Sequence, residues 1–180
     1  TRSGYTITGW GTSASATTAA VKVSTSVSLT ANVTYYAITS KVVTVSFSKG
    51  ANVSAIGTSS GTCTIQNSAT SCAVATPSIT ANSGYTSVGW STTNGASSGI
   101  AAGSNITGLT ANATYYANAL DKTAPTISIS PSSQSTYVSG GKAITVTIAD
   151  SGSGIKAGQN IYYAWSTSSS TTPSYTSYVT

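Results

Sequence analysis

Cys63 and Cys72 are the only cysteines in this chain of 180 residues, and Asp121 and Asp150 are its only carboxylate side chains. Those four positions bound most of the chemistry open to it. Two thiols with eight residues between them can join in a disulfide, or cycle as a redox pair. The spacing is not that of the Cys-x-x-Cys motif used for dithiol exchange, which favours the disulfide. Bridged across the polar segment Thr64 to Ser71, the pair would close a hairpin and stabilise it by about 2.5 kcal/mol through loop entropy. Such a bond persists in an oxidising compartment. The two aspartates admit two readings. Together with carbonyl oxygens they make a weak calcium site, because Ca²⁺ takes about six to eight oxygen ligands and favours several carboxylates. Taken separately, Asp121 is a linker residue and Asp150 a turn residue.

The absent residues narrow the field further. There is no His, no Met and no Glu, while Ser and Thr supply 68 positions. A Ser-His-Asp or Cys-His arrangement cannot be assembled, zinc-type ligand clusters are missing, and only a Ser-Lys pair is formally left. No catalytic, cofactor-binding or metal site is therefore expected, and the chain reads as a non-enzyme. Arg2, Lys22, Lys41, Lys49, Lys122, Lys142 and Lys156 are scattered singly, so the net charge of +5 comes from missing acids rather than from a basic run. Nucleic acid is not an expected partner. No apolar run is long enough to span a bilayer as a helix.

The elements that position these residues are repeated. Residues 3–37 match residues 83–117 at a constant offset of 80, with 17 identities. Gly4-Tyr5-Thr6 answers Gly84-Tyr85-Thr86, Gly9-Trp10 answers Gly89-Trp90, and Leu29-Thr30-Ala31-Asn32 answers Leu109-Thr110-Ala111-Asn112. Repetition of this fidelity marks stacked or strung modules. The division that follows is 1–41 as the C-terminal half of a module, 42–121 as a complete one, and 122–180 as a different module. The chain reads as a piece of a longer polypeptide.

Period-two alternation dominates. Val43, Val45 and Phe47 share one face of Val42 to Ser48, and Ile144, Val146 and Ile148 share the inward face of Ala143 to Ile148. Gly, Ser and Asn fill the segments between. Ala14 to Lys22 and its counterpart Asn94 to Ala102 read as loops, since Gly95 and Gly99 break any helix. Alternation places Tyr85 and Trp90 on opposite faces. Trp10, Leu29, Trp90 and Leu109 are the expected repeat core, because a module with so few large apolar residues needs its tryptophans inside. The other reading of the aromatic residues is a sugar-stacking or adhesive platform.

The order Gly-Tyr-x-x-x-Gly-Trp, a Ser/Thr/Gly-rich stretch, then Leu-Thr-Ala-Asn-x-Thr-Tyr-Tyr-Ala resembles the Listeria-Bacteroides repeat of bacterial surface proteins, including the B-repeat region of internalins. The resemblance covers residues 3–38 and 84–118, with Val42 to Phe47 as the strand that precedes it. It implies small β-rich, β-grasp-like modules that serve as spacers or interaction units and carry no catalytic residues. The Cys63 to Cys72 segment is an insertion relative to that pattern. From Asp121 the sequence is similar to bacterial immunoglobulin-like modules: Asp121-Lys122-Thr123-Ala124-Pro125 resembles their linker, and Asp150-Ser151-Gly152-Ser153-Gly154-Ile155 their Asp-x-Gly-Ser-Gly-Ile loop. Ile161 to Trp165 would be the next strand. The roughly 60 residues present fall short of the ~100 of such a sandwich, so the module is expected to continue past Thr180.

The fold class expected is thus mainly β: tandem small β-grasp-like or sandwich-like modules followed by an immunoglobulin-like β-sandwich. The expected role is a stalk or adhesin segment on a bacterial cell surface, facing a glycan or protein ligand on a host or neighbouring cell. The alternative is a self-assembling subunit of a filament, pilus-like fibre or surface layer, since low charge removes a usual obstacle to edge-to-edge strand pairing. A spacer attached to a catalytic domain elsewhere is the third reading.

Overall fold

The computed structural model describes residues 2–130, 143–155, 161–163, 174 and 177–179. Its regular elements are all strands, with no helix among the described residues, and the fold is mainly β. The chain divides into two compact units, Thr1–Leu120 and Asp121–Thr180.

The first unit contains β1 (Thr6–Gly11), β2 (Val21–Lys22), β3 (Tyr36–Lys49), β4 (Val53–Ile56), β5 (Ser60–Gln66), β6 (Cys72–Ala75), β7 (Ile79–Ala81), β8 (Thr86–Ser91), β9 (Asn105–Leu109) and β10 (Ala113–Leu120). The main sheet runs β2-β1-β3-β10-β8, with β5 also joined to β3. Two ribbons, β4 with β7 and β6 with β9, accompany it. β3 is the organising strand. It pairs antiparallel with β1 through Tyr36–Ser40, antiparallel with β5 through Ser40–Ser46, and parallel with β10 through Val45–Lys49. The repeat boundary read between Lys41 and Val42 therefore lies inside a continuous strand.

Alternation along β3 decides what goes inside. Val43, Val45 and Phe47 are buried, while Val42 just before them and Ser46 among them face outward. Those three form one cluster with Val53, Ile65, Val74, Trp90, Ile106 and Leu109. The Phe47 and Trp90 rings meet edge-on, with centroids 4.8 Å apart, an arrangement that aromatic quadrupoles favour. Cys63 and Cys72 form a disulfide with Cα atoms 5.9 Å apart. The hairpin expected between them is corrected: β5 pairs with β3 and β6 with β9. The bond instead ties the main sheet to a ribbon.

Alternation breaks at one place in each copy. Ile7 faces Thr39 and Gly9 faces Ile38, leaving Thr8 over; Ser87 faces Ala119 and Gly89 faces Asn118, leaving Val88 over. These are β-bulges at equivalent positions, and each extra residue resets the side-chain parity. Tyr85 and Trp90, expected on opposite faces, both pack against the same core cluster for this reason. The loop expected at Ala14 to Lys22 ends in β2, which returns along β1 with Val21 beside Trp10. In the second copy the same return is a single bridge between Trp90 and Ile100.

The second unit contains β11 (Thr126–Ser130), β12 (Thr145–Ala149), β13 (Ile161–Tyr163) and β14 (Ser177–Val179), paired β11 with β12 and β13 with β14. Ile127 lies beside Ile148 and Ile129 beside Val146. The inward face expected for Ile144, Val146 and Ile148 is only half realised, since Val146, Ile127 and Ile129 are all exposed. A two-stranded ribbon buries little of either face. Ala164, Trp165 and Thr180 lie outside the described residues.

Candidate functional site

The two repeat copies share a backbone register pair for pair. Trp10 faces Ala37, Gly9 faces Ile38, Ile7 faces Thr39 and Thr6 faces Ser40. Eighty residues on, Trp90 faces Ala117, Gly89 faces Asn118, Ser87 faces Ala119 and Thr86 faces Leu120. The returning segment is held alike, by Ala20 N–H donating to Trp10 O at 2.9 Å and Ile100 N–H to Trp90 O at 2.8 Å. That return explains the glycine before each tryptophan. A Cβ on Gly9 would lie 2.3 Å from Ala19 Cβ, and one on Gly89, whose φ is +106°, 2.5 Å from Ile100 O. Only glycine allows the backbone this close.

Burial differs completely between the copies. Trp90 is 0 % exposed, its indole N–H donates to Pro77 O at 3.0 Å, and Leu109 is buried nearby. Phe47, Val53, Val74 and Pro77, which enclose Trp90 or share its cluster, all come from residues 42–82. Trp10 is 38 % exposed and Leu29 62 % exposed. The expectation of four equivalent core residues is therefore corrected for Trp10 and Leu29. The physical reason is that identity of sequence fixes local pairing, whereas burial requires a covering layer, and among the described residues the first copy has no counterpart of β4, β6 or β7. Trp10, Val21, Val27, Leu29 and Tyr35 instead line an open groove of about 290 Å³.

Polar side chains fix the rims. Asn118, fully buried, accepts from Gly95 N at 2.6 Å and donates to Thr93 O and Tyr116 O at 3.1 and 3.0 Å, pinning the loop after β8. In the first copy Asn67 has the corresponding task from a different place in the sequence. It donates to Ala16 O at 2.7 Å and accepts from Thr39 N at 3.1 Å. Arg2 donates to Asn67 O and Ala69 O, both at 2.8 Å, and its guanidinium stacks 4.0 Å from the Tyr5 ring centre. Sequence reasoning missed these three; Asn67 carries one local signal, in the turn following β5, where its φ is +48°.

Asp121 and Asp150 converge on one loop of the second unit. Asp121 accepts from Thr123 N at 2.8 Å through one oxygen and from Ser153 N at 2.7 Å through the other, and Asp150 accepts from Gly152 N at 2.8 Å. A Cβ on Gly152 would lie 2.3 Å from the Asp121 carboxyl, so that carboxyl sits directly against the loop backbone. The backbone hydrogen bonds from Ser153 and then Thr123 hold Asp121 below the ordinary aspartate range. Among the described residues no group of three or more Asp, Glu, His or Cys side chains comes together. No described helix is long and apolar enough to cross a membrane.

Comparisons with protein-family models, with curated proteins and with solved structures find no match. The groove at Trp10 is apolar, open and lined by side chains that include Trp10 and Leu29, whose counterparts Trp90 and Leu109 are buried.

Proposed function

We propose that this chain is a non-enzymatic segment of an extracellular bacterial surface protein, a stalk or adhesin built from tandem β-rich repeats. The carrying observation is that the backbone register around Trp10 recurs around Trp90, while β3 belongs to both copies at once. A strand held in common makes neighbouring repeats one structure, which suits a spacer that must hold its length. The Cys63–Cys72 bond supports an oxidising surrounding. The Gly-Trp and Thr-Tyr-Tyr-Ala signatures, through their resemblance to Listeria-Bacteroides repeats, support the cell-surface assignment, and the resemblance of residues 121–155 to immunoglobulin-like modules is consistent with a multi-module stalk.

Self-assembly into a fibre is the second reading, favoured by the exposed Trp10 and Leu29. Negative-stain electron microscopy of the isolated protein separates the two. Single separate rods support the stalk; regular polymers would replace it with the filament.

A further inference from the structure

Residues 42–82 complete the second repeat copy in two ways. The C-terminal half of β3 runs parallel to β10, from Val45 beside Ala113 to Lys49 beside Ala117. β6 pairs with β9, placing Val74 beside Ile106, and Pro77 accepts the indole hydrogen bond of Trp90. At the 80-residue offset, the recipients of those strands in the first copy are residues 33–37 and 25–29. Neither receives one among the described residues. Residues 25–29 are not in a strand, Tyr36 and Ala37 pair only with Gly11 and Trp10 of β1, and Val27, Leu29, Val33 and Tyr36 are exposed.

We infer that the Trp10 groove and the adjoining edge at residues 33–37 form a docking site for a β-segment of the chemistry of residues 42–82, supplied by an adjoining repeat. The interface that closes over Trp90 is already established in this molecule, and the Trp10 surface is its repeat equivalent, continuous with it through β3. The occupant is specified position by position. One strand with the alternation of Val43, Val45 and Phe47 runs parallel to residues 33–37. A second, with an apolar residue at the place of Val74, runs antiparallel to residues 25–29. A carbonyl at the place of Pro77 accepts from the Trp10 indole. Adding a strand to an open edge gives affinity through main-chain hydrogen bonds, and the side-chain pockets give register. Neither partner opposes the other strongly in charge, since residues 42–82 carry only Lys49.

The inference rests on the repeat reading, and a fusion tests it. Residues 42–80 of this chain are joined directly ahead of Thr1 in the full-length protein, which restores the 80-residue spacing. Tryptophans are labelled with 5-fluorotryptophan, and the Trp10 fluorine resonance is assigned through Trp10→Phe. In the unfused protein Trp10 shows a solvent isotope shift and is broadened by a soluble paramagnet. In the fusion both effects are lost, as for Trp90, and they return when the added segment carries Val74→Asp. A Trp10 that stays solvent-exposed in the fusion overturns the docking site, whatever state the added segment adopts, and leaves the stalk standing. A protected Trp10 in a protein that forms regular polymers keeps the docking site and removes the stalk.

Discussion

Trp10 and Trp90 each face an alanine across the same bulged strand pair, Ala37 and Ala117 respectively, yet Trp90 is 0 % exposed and Trp10 38 %. One side chain is core and the other partly exposed, although each follows a glycine at the same register. Residues 42–82 supply Phe47, Val53 and Val74 to the cluster around Trp90, and its own copy adds Ile106, whose counterpart at the 80-residue offset is Ser26.

Replacing the two in turn separates local pairing from burial. Trp90→Ala is expected to destabilise the first unit by about 3–5 kcal/mol through the cavity it leaves. Trp10→Ala is expected to cost clearly less, because Trp10 is 38 % exposed and its removal leaves no enclosed cavity. Urea unfolding of the two variants reads both values, and equal costs would mean that Trp10 is buried in solution.

The bulge glycines test the close approach. Gly89→Ala combines a strained φ with a contact to Ile100 O, whereas Gly103→Ala, at φ +81°, meets open space. Strain alone is worth about 1–3 kcal/mol, so Gly89→Ala should lower the thermal midpoint well beyond Gly103→Ala. A similar drop for both would remove the steric part of the account.

Reduction of the Cys63–Cys72 bond releases a short loop, worth about 2.5 kcal/mol on the chain-entropy estimate. The double variant Cys63→Ala with Cys72→Ala should unfold at correspondingly lower urea concentration. Because the bond joins the main sheet to the β6–β9 ribbon, amide exchange should accelerate first at Val74 and Ile106. Uniform acceleration across the unit would contradict that assignment.

Asp121 carries a pH dependence of known sign. Its folded value lies below the ordinary aspartate range, because backbone N–H groups of Ser153 and Thr123 favour the charged carboxylate. Its contribution is present above the unfolded value of about 3.9 and is lost as pH falls through the lower folded value. Carbon-13 titration of the carboxyl should give a midpoint below that of an unstructured aspartate, with Ser153 and Thr123 amide shifts following it. A midpoint at or above the ordinary value would show that the clasp does not form in solution.

The strand content was legible because β3 writes its burial in alternation: Val43, Val45 and Phe47 inside, Val42 and Ser46 outside. The two bulges were not, since Thr8 and Val88 look like ordinary members of a strand and only the pairing reveals them as extra. That single extra residue, Val88, brings Tyr85 to the same cluster as Trp90. The Cys63–Cys72 segment looks like a hairpin because its length suits one, and nothing local says that each flank has a different partner. Leu29 matches Leu109 in sequence, but burial at Leu109 comes with the distant strand that pairs with it through Cys72, which no local signal at Leu29 reports. The groove at Trp10 is set by which residues lie over it in three dimensions, which no local pattern of the sequence carries.

β3 also governs how the first unit answers a pull. Modules strung on linkers bend at the linker, which acts as a hinge between independent bodies. Here the segments that carry Trp10 and Trp90 are joined through fourteen residues of uninterrupted strand rather than through a linker. β3 carries β1 on its first residues, β5 on its middle and β10 on its last, so a displacement of one end of the strand reaches all three partners through the same backbone.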